Sequence, residues 1–184
     1  MACALTQGYD YAAGCRSFQG GISQALFAPL SDLATITVSA AGLVTAMTMK
    51  IGKQFRVYNL KPELSFFTDN PTGSSENGTL TYAQSVSVTL LTMEQTYRQE
   101  IKLLGQNYLL IIVRDNNGVY RLAGYNGLIN GVPQGGMELA TGEAGGGTLR
   151  ADGHKQTIVF NGSSDSPMQD VTGSLIATLT APAV

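Results

Sequence analysis

Tryptophan is absent, histidine occurs once and cysteine twice in 184 residues. A single histidine removes His-rich metal sites and most imidazole-based acid–base chemistry. Charge is also scarce. Eleven Lys and Arg and thirteen Asp and Glu make up 13% of the chain and leave a net charge of −2, against a usual charged share of about 25%. So few cations cannot sheathe nucleic acid. No run of about 18 apolar residues occurs, so no transmembrane helix and no membrane partner is expected. Gly20 to Ala46 is fairly apolar but is interrupted by Gln24, Pro29, Ser31 and Asp32. Met1 to Gly8 lacks the basic start and apolar core of a signal peptide, which points to synthesis in the cytoplasm.

Apolar residues make up 43% of the chain, enough for one compact domain that needs no disulfide or metal staple. Twenty-two glycines beside so few charges suit a surface covered by copies of the same chain, since interface cores are depleted in charge. A secreted β-domain shares this composition. Cys3 and Cys15 lack the Cys-x-x-Cys spacing of redox motifs. With His154 they supply at most three zinc ligands of the four a structural site needs. They are expected to be free thiols, with a disulfide after release to an oxidising medium as the alternative. Residues 1–21 read as an extended N-terminal arm, and residues 22–184 as a single domain.

Thr35 to Ser39 alternates apolar and polar residues, the period of a half-buried strand. Ile22–Phe27, Leu43–Lys50, Gln54–Leu60, Leu64–Thr68, Thr157–Phe160 and Leu175–Thr180 are further strand candidates. Tyr82 to Leu90 puts Tyr82, Gln84, Val86, Val88 and Leu90 on one face and Ala83, Ser85, Ser87 and Thr89 on the other. Leu109 to Val113 is a continuous apolar run, the mark of a strand buried on both faces. Thr92 with Gln95 forms a capping-box pattern ahead of an apolar stripe at Met93, Tyr97, Ile101 and Leu104. Gly105 then supplies a stop. A helix over 93–104 follows. Asp115, Asn116, Asn117 and Gly118 predict a hairpin turn with Asn117 and Gly118 at positive φ. The fold expected is mainly β (α+β), a β-sandwich or barrel of about eight to ten strands with one flanking amphipathic helix.

Asn70, Pro71, Gly73, Ser74, Ser75, Glu76 and Asn77 lie in a stretch dense in turn formers. Residues 68–79 are therefore expected to form a long loop, of a length that usually marks function or disorder. Gly142 to Gly147 is the most glycine-dense segment, but no Gly-Lys-Ser/Thr follows and the next residues make a poor helix. It reads as a flexible loop. The turn at Asp115 fails as a calcium loop because the twelfth position is Asn126 and not Glu. The acidic residues are scattered singly, and His154 has no partner for a triad. No enzyme, cofactor or metal is called for.

The order of elements in the second half carries a resemblance. The helix to Leu104 leads to a buried strand, the Asp115–Gly118 hairpin and Tyr120-Arg121-Leu122-Ala123-Gly124-Tyr125-Asn126-Gly127-Leu128. Ala140-Thr141-Gly142-Glu143-Ala144, then Ala151 to Gly162, then Pro167 follow. Residues 80–175 resemble structural proteins of the tail regions of bacteriophages and prophages of gut Bacteroidetes, and Cys3, Cys15 and Gly20-Gly21-Ile22 fit the same group. The resemblance implies a virion protein of the tail-tube type. Subunits of that family form hexameric rings whose strands join into an inner barrel, and the rings stack around a lumen that conducts DNA without binding its sequence. It further implies partners among other tail proteins, a lumen-facing strand such as Tyr82–Leu90, and a long loop, here 68–79, reaching a neighbouring ring. A ring-forming connector or tail terminator, or a monomeric adhesin-like binding module, are the alternatives.

Overall fold

The computed structural model of the chain describes residues 19–74, 76–92, 94–146 and 154–182. Most of the N-terminal arm, with Cys3 and Cys15, lies outside the described residues. The elements run β1 (Ile22–Pro29), β2 (Leu33–Val38), β3 (Leu43–Met49), β4 (Arg56–Asn59), β5 (Phe66–Ser74) and β6 (Thr79–Leu90). Then come α1 (Gln95–Leu104), β7 (Leu109–Asp115), β8 (Tyr120–Ala123), β9 (Tyr125–Ile129) and β10 (Val132–Gly135). β11 (Glu138–Gly145), β12 (Lys155–Ser164), β13 (Gln169–Val171) and α2 (Gly173–Thr180) complete the chain. The fold is β-rich, as the patterning predicted, with more strands than expected.

Seven strands form one sheet in the order β2-β3-β13-β8-β7-β1-β4, and four form a second in the order β11-β12-β6-β5. β9 and β10 pair only with each other. Among the described residues every pairing is antiparallel except β13 with β3. The two larger sheets face each other over a core of Phe27, Ile111, Val113, Val86, Ile158 and Phe160, closed by Ile101 and Leu104 of α1. The opposite face of the seven-stranded sheet carries a second core, with Leu26, Leu110, Ile112 and Leu122 under Leu179 of α2. β7 therefore sends Ile111 and Val113 into one core and Leu110 and Ile112 into the other. That double burial is why its sequence is an unbroken apolar run.

Four expectations need correction. Leu175 to Thr180 is helix α2, not a final strand. Leu175, Ala177 and Leu179 alternate as in a strand, but Leu175, Ile176 and Leu179 also fit one helix face, and packing on the sheet selects that period. The chain thus has a second helix where one was expected. α1 starts at Gln95 with Glu94 as its N-cap, and no side chain caps it, so Thr92 forms no capping box. Of the expected stripe, Ile101 and Leu104 are buried and Tyr97 is exposed. Met93 lies outside the described residues. Gly142 to Gly145 belongs to strand β11, paired with Lys155 to Ile158, rather than to a loop. Residues 68–79 are not a loop either. Asn70, Pro71, Gly73 and Ser74 are in β5, in register with Ala83, Tyr82, Leu80 and Thr79. Proline is tolerated there because β5 is an edge strand with one unpaired side.

Candidate assembly surfaces

The Asp115–Gly118 turn forms where predicted. Gly118 has φ of +86°, whereas Asn117 keeps negative φ, so only one of the two expected positions is left-handed. Asp115 organises the turn. Its Oδ1 accepts hydrogen bonds from the Asn117 and Val119 amides, both at 2.9 Å, and its Oδ2 pairs with Arg121 Nη1 at 2.6 Å. Burial alone would raise the Asp115 pKa, but the bond from Arg121, the Val119 amide, the Arg121 charge and the Asn117 amide outweigh it. The carboxyl titrates below its ordinary value. Arg121 also reaches Asp170 at 3.4 Å and lies over the Phe67 ring.

The same turn holds the start of the described chain. Asn116 Nδ2 donates to the Gly20 carbonyl at 2.6 Å, and Asn117 Nδ2 to the Gln19 carbonyl at 3.0 Å. The Gln19 amide donates back to Asn117 Oδ1. The two asparagines therefore do more than shape a hairpin: they hold Gln19 and Gly20 against it. Their residue types signalled a turn, while this second use depends on contacts about a hundred positions apart in sequence and had no local signal.

β5 and β6 extend past the sheet that contains them. β12 pairs with β6 only as far as Tyr82, so Thr72 to Ser74 and Thr79 to Thr81 form a two-stranded ribbon beyond it. The ribbon is exposed, including Leu80, which is 54% accessible. Glu76, Asn77 and Gly78 lie at its turn, and Ser75 is outside the described residues. A lone two-stranded ribbon is marginal in water. The segment predicted as the reaching loop is thus a strand-paired arm.

The outer face of the four-stranded sheet carries little charge and mixes small polar side chains with apolar ones. Ala83, Ser85, Ser87 and Thr89 of β6 alternate with the core residues Val86 and Val88, but Ser87 and Thr89 are themselves buried, Ser85 is half-buried and only Ala83 is exposed. In register beside them are Phe66 and Thr68 of β5, Thr157, Val159 and Asn161 of β12, and Glu138 and Glu143 of β11; Phe66 is 53% exposed. Thr89 and Thr157 are hydroxyl to hydroxyl at 3.0 Å. Burial along β6 does not follow the alternation, since Ser87 and Thr89 are buried like Val86 and Val88.

Two further surfaces were not singled out in the sequence. The β9–β10 hairpin turns at Asn130 and Gly131, both at positive φ, the geometry of a tight two-residue turn that matches strand twist. It sets Ile129 opposite Val132, and these are 62% and 58% exposed. Asn130-Gly131 was legible as punctuation; the short strands flanking it were not. Beside α1, an open groove of about 890 Å³ is lined by Val57 and Tyr58 of β4, Leu91, and Tyr97 and Glu100 of α1. Val57, Leu91 and Tyr97 are exposed.

His154 is exposed. No group of three or more His, Cys, Asp or Glu side chains placed to hold a metal occurs among the described residues. No helix among them is long and apolar enough to cross a membrane. Comparisons with protein-family models, with curated proteins and with solved structures find no match to this chain.

Proposed function

We propose that this protein is a virion structural protein, a tail-tube subunit that forms stacked homo-oligomeric, hexameric rings around a DNA-conducting lumen. The observation that carries the reading is the β5–β6 ribbon. An exposed strand pair that runs beyond its own sheet lacks the packing that stabilises a two-stranded unit, and a neighbouring ring supplies it. The ribbon takes the place of the reaching loop implied by the resemblance of residues 80–175 to phage tail proteins. Low charge supports extensive self-contact. The outer face around Ala83 and Ser85 suits the lumen: apart from Phe66 and Val159 it carries small polar side chains, with two glutamates and one neighbouring cation, Lys155, and gives passing phosphates little to hold. Partners are further copies, other tail proteins and the DNA in transit, in a virion tail assembled from chains made in the host cytoplasm. No catalytic step is part of this role.

Light scattering across the micromolar to millimolar range tests the reading. A mass that rises from monomer to a ring multiple is expected, and a monomer throughout overturns it.

A further inference from the structure

An open cavity of about 520 Å³ lies where β5 meets the β7–β8 turn. Asp69 and Asp115 line it, and the one cation among its described lining residues is Arg121. Arg121 is already committed. Its Nη1 pairs with Asp115 at 2.6 Å and its Nε with Asp170 at 3.4 Å. Asp69 is left over. Its Oδ2 accepts the Met168 amide at 2.7 Å, while its Oδ1 is buried and has no hydrogen-bond partner among the described residues. A buried carboxylate oxygen without a donor is costly. With one cation against three carboxylates, the cavity calls for a cationic donor at Asp69.

The described chain begins at the same place. Gln19, Gly20 and Gly21 line the cavity, and Asn116 and Asn117 hold Gln19 and Gly20 there. Eighteen residues precede Gln19, and Arg16 is the only Lys or Arg among them. It is three residues from Gln19, at most about 10 Å of extended chain. Phe18 lies two residues on from Arg16, on the same side of an extended backbone. Phe67 and Met168 give the cavity an apolar wall beside Asp69. Arg16 of the same chain is kept within reach by covalent connection, whereas that of a second copy arrives only by association. We infer that residues 16–18 dock in this cavity of their own chain, with the Arg16 guanidinium on Asp69 Oδ1 and the Phe18 ring against Phe67 and Met168. The inference does not depend on self-assembly. It assigns the root of the N-terminal arm to its own domain.

Limited digestion with trypsin tests it on the full-length chain, because trypsin must take the Arg16 side chain to cut after it. Cleavage tracks the population in which the segment is undocked. Asp69→Asn keeps an acceptor for the Met168 amide and removes the charge. Cleavage after Arg16 should be about tenfold faster in Asp69→Asn than in the unaltered chain, with cleavage after Lys53 and Lys102 unchanged. Equal rates after Arg16 in the two proteins overturn the inference, and so does equal acceleration at all three sites, which means general loosening. The protection should hold over about a hundredfold range of protein concentration; protection that appears only at high concentration means that a neighbour's segment fills the cavity and also overturns it. In thermal melts, Arg16→Gln and Asp69→Asn should each lower the midpoint by about 2–4 °C. The double variant should lose no more than the larger single loss, since both changes remove one pair. Additive losses contradict the pairing.

Discussion

The amide of Gly124 donates a 3.0 Å hydrogen bond to the side-chain Oε1 of Gln84. Gln84 is in β6 of the four-stranded sheet, and Gly124 follows β8 of the seven-stranded sheet. This polar contact ties the two layers, beside the backbone bridge of Leu109 with Met137 and the bond from the Met168 amide to Asp69. Gln84 is 2% exposed, so the bond is shielded from bulk water.

Gln84→Met keeps the volume and removes that acceptor. The orphaned Gly124 amide should cost about 1–3 kcal/mol of stability. Urea unfolding at neutral pH measures it, and a midpoint equal to that of the original protein would show that the bond contributes nothing.

Gly118→Val should cost about 1–2 kcal/mol, because a β-branched residue is strained at φ of +86°. Nothing lies within 4 Å of a Cβ placed there, so the cost is conformational and not a clash. Gly118→Asn, which tolerates left-handed φ, should recover most of it in the same thermal melt. Equal losses for Val and Asn would contradict a backbone origin.

The fold was legible where the period matched a single environment. Leu109 to Val113 announced a doubly buried strand, and Tyr82 to Leu90 announced β6, although Ser87 and Thr89 are buried like Val86 and Val88. α2 was misjudged because Leu175, Ala177 and Leu179 satisfy the strand period while Leu175, Ile176 and Leu179 satisfy the helix period, and only the sheet beneath decides between them. The ribbon was hidden by Asn70, Pro71, Gly73 and Asn77. Turn formers fit an exposed edge strand as well as they fit a loop, since little packing selects its side chains. The exposed apolar surfaces were the least legible, because Ile129, Val132, Val57 and Tyr97 are brought to notice by exposure, and exposure is not written in local pattern.

Asp115 makes stability depend on acidity. Its folded pKa is depressed below its unfolded value of about 3.9. The stabilisation is therefore complete above about pH 4 and is lost as pH falls through the folded pKa. The difference in unfolding free energy between the original protein and Asp115→Asn should be constant from pH 5 to 7 and shrink from pH 4 downward. A difference that stays constant to pH 2 would show that the charge on Asp115 does not support the hairpin.

Stacking of rings through the β5–β6 ribbon is tested most directly by negative-stain electron microscopy of two proteins side by side. One is the unaltered chain. The other joins Pro71 to Tyr82, which are partners in register, through an Asn-Gly turn in place of residues 72–81. The core strands are untouched, so both should melt at nearly the same temperature. The unaltered chain is expected to form tubes of stacked rings, and the trimmed chain single rings only. Tubes of equal length from both would contradict the ribbon's role, and isolated particles without rings from the unaltered chain would contradict the account as a whole.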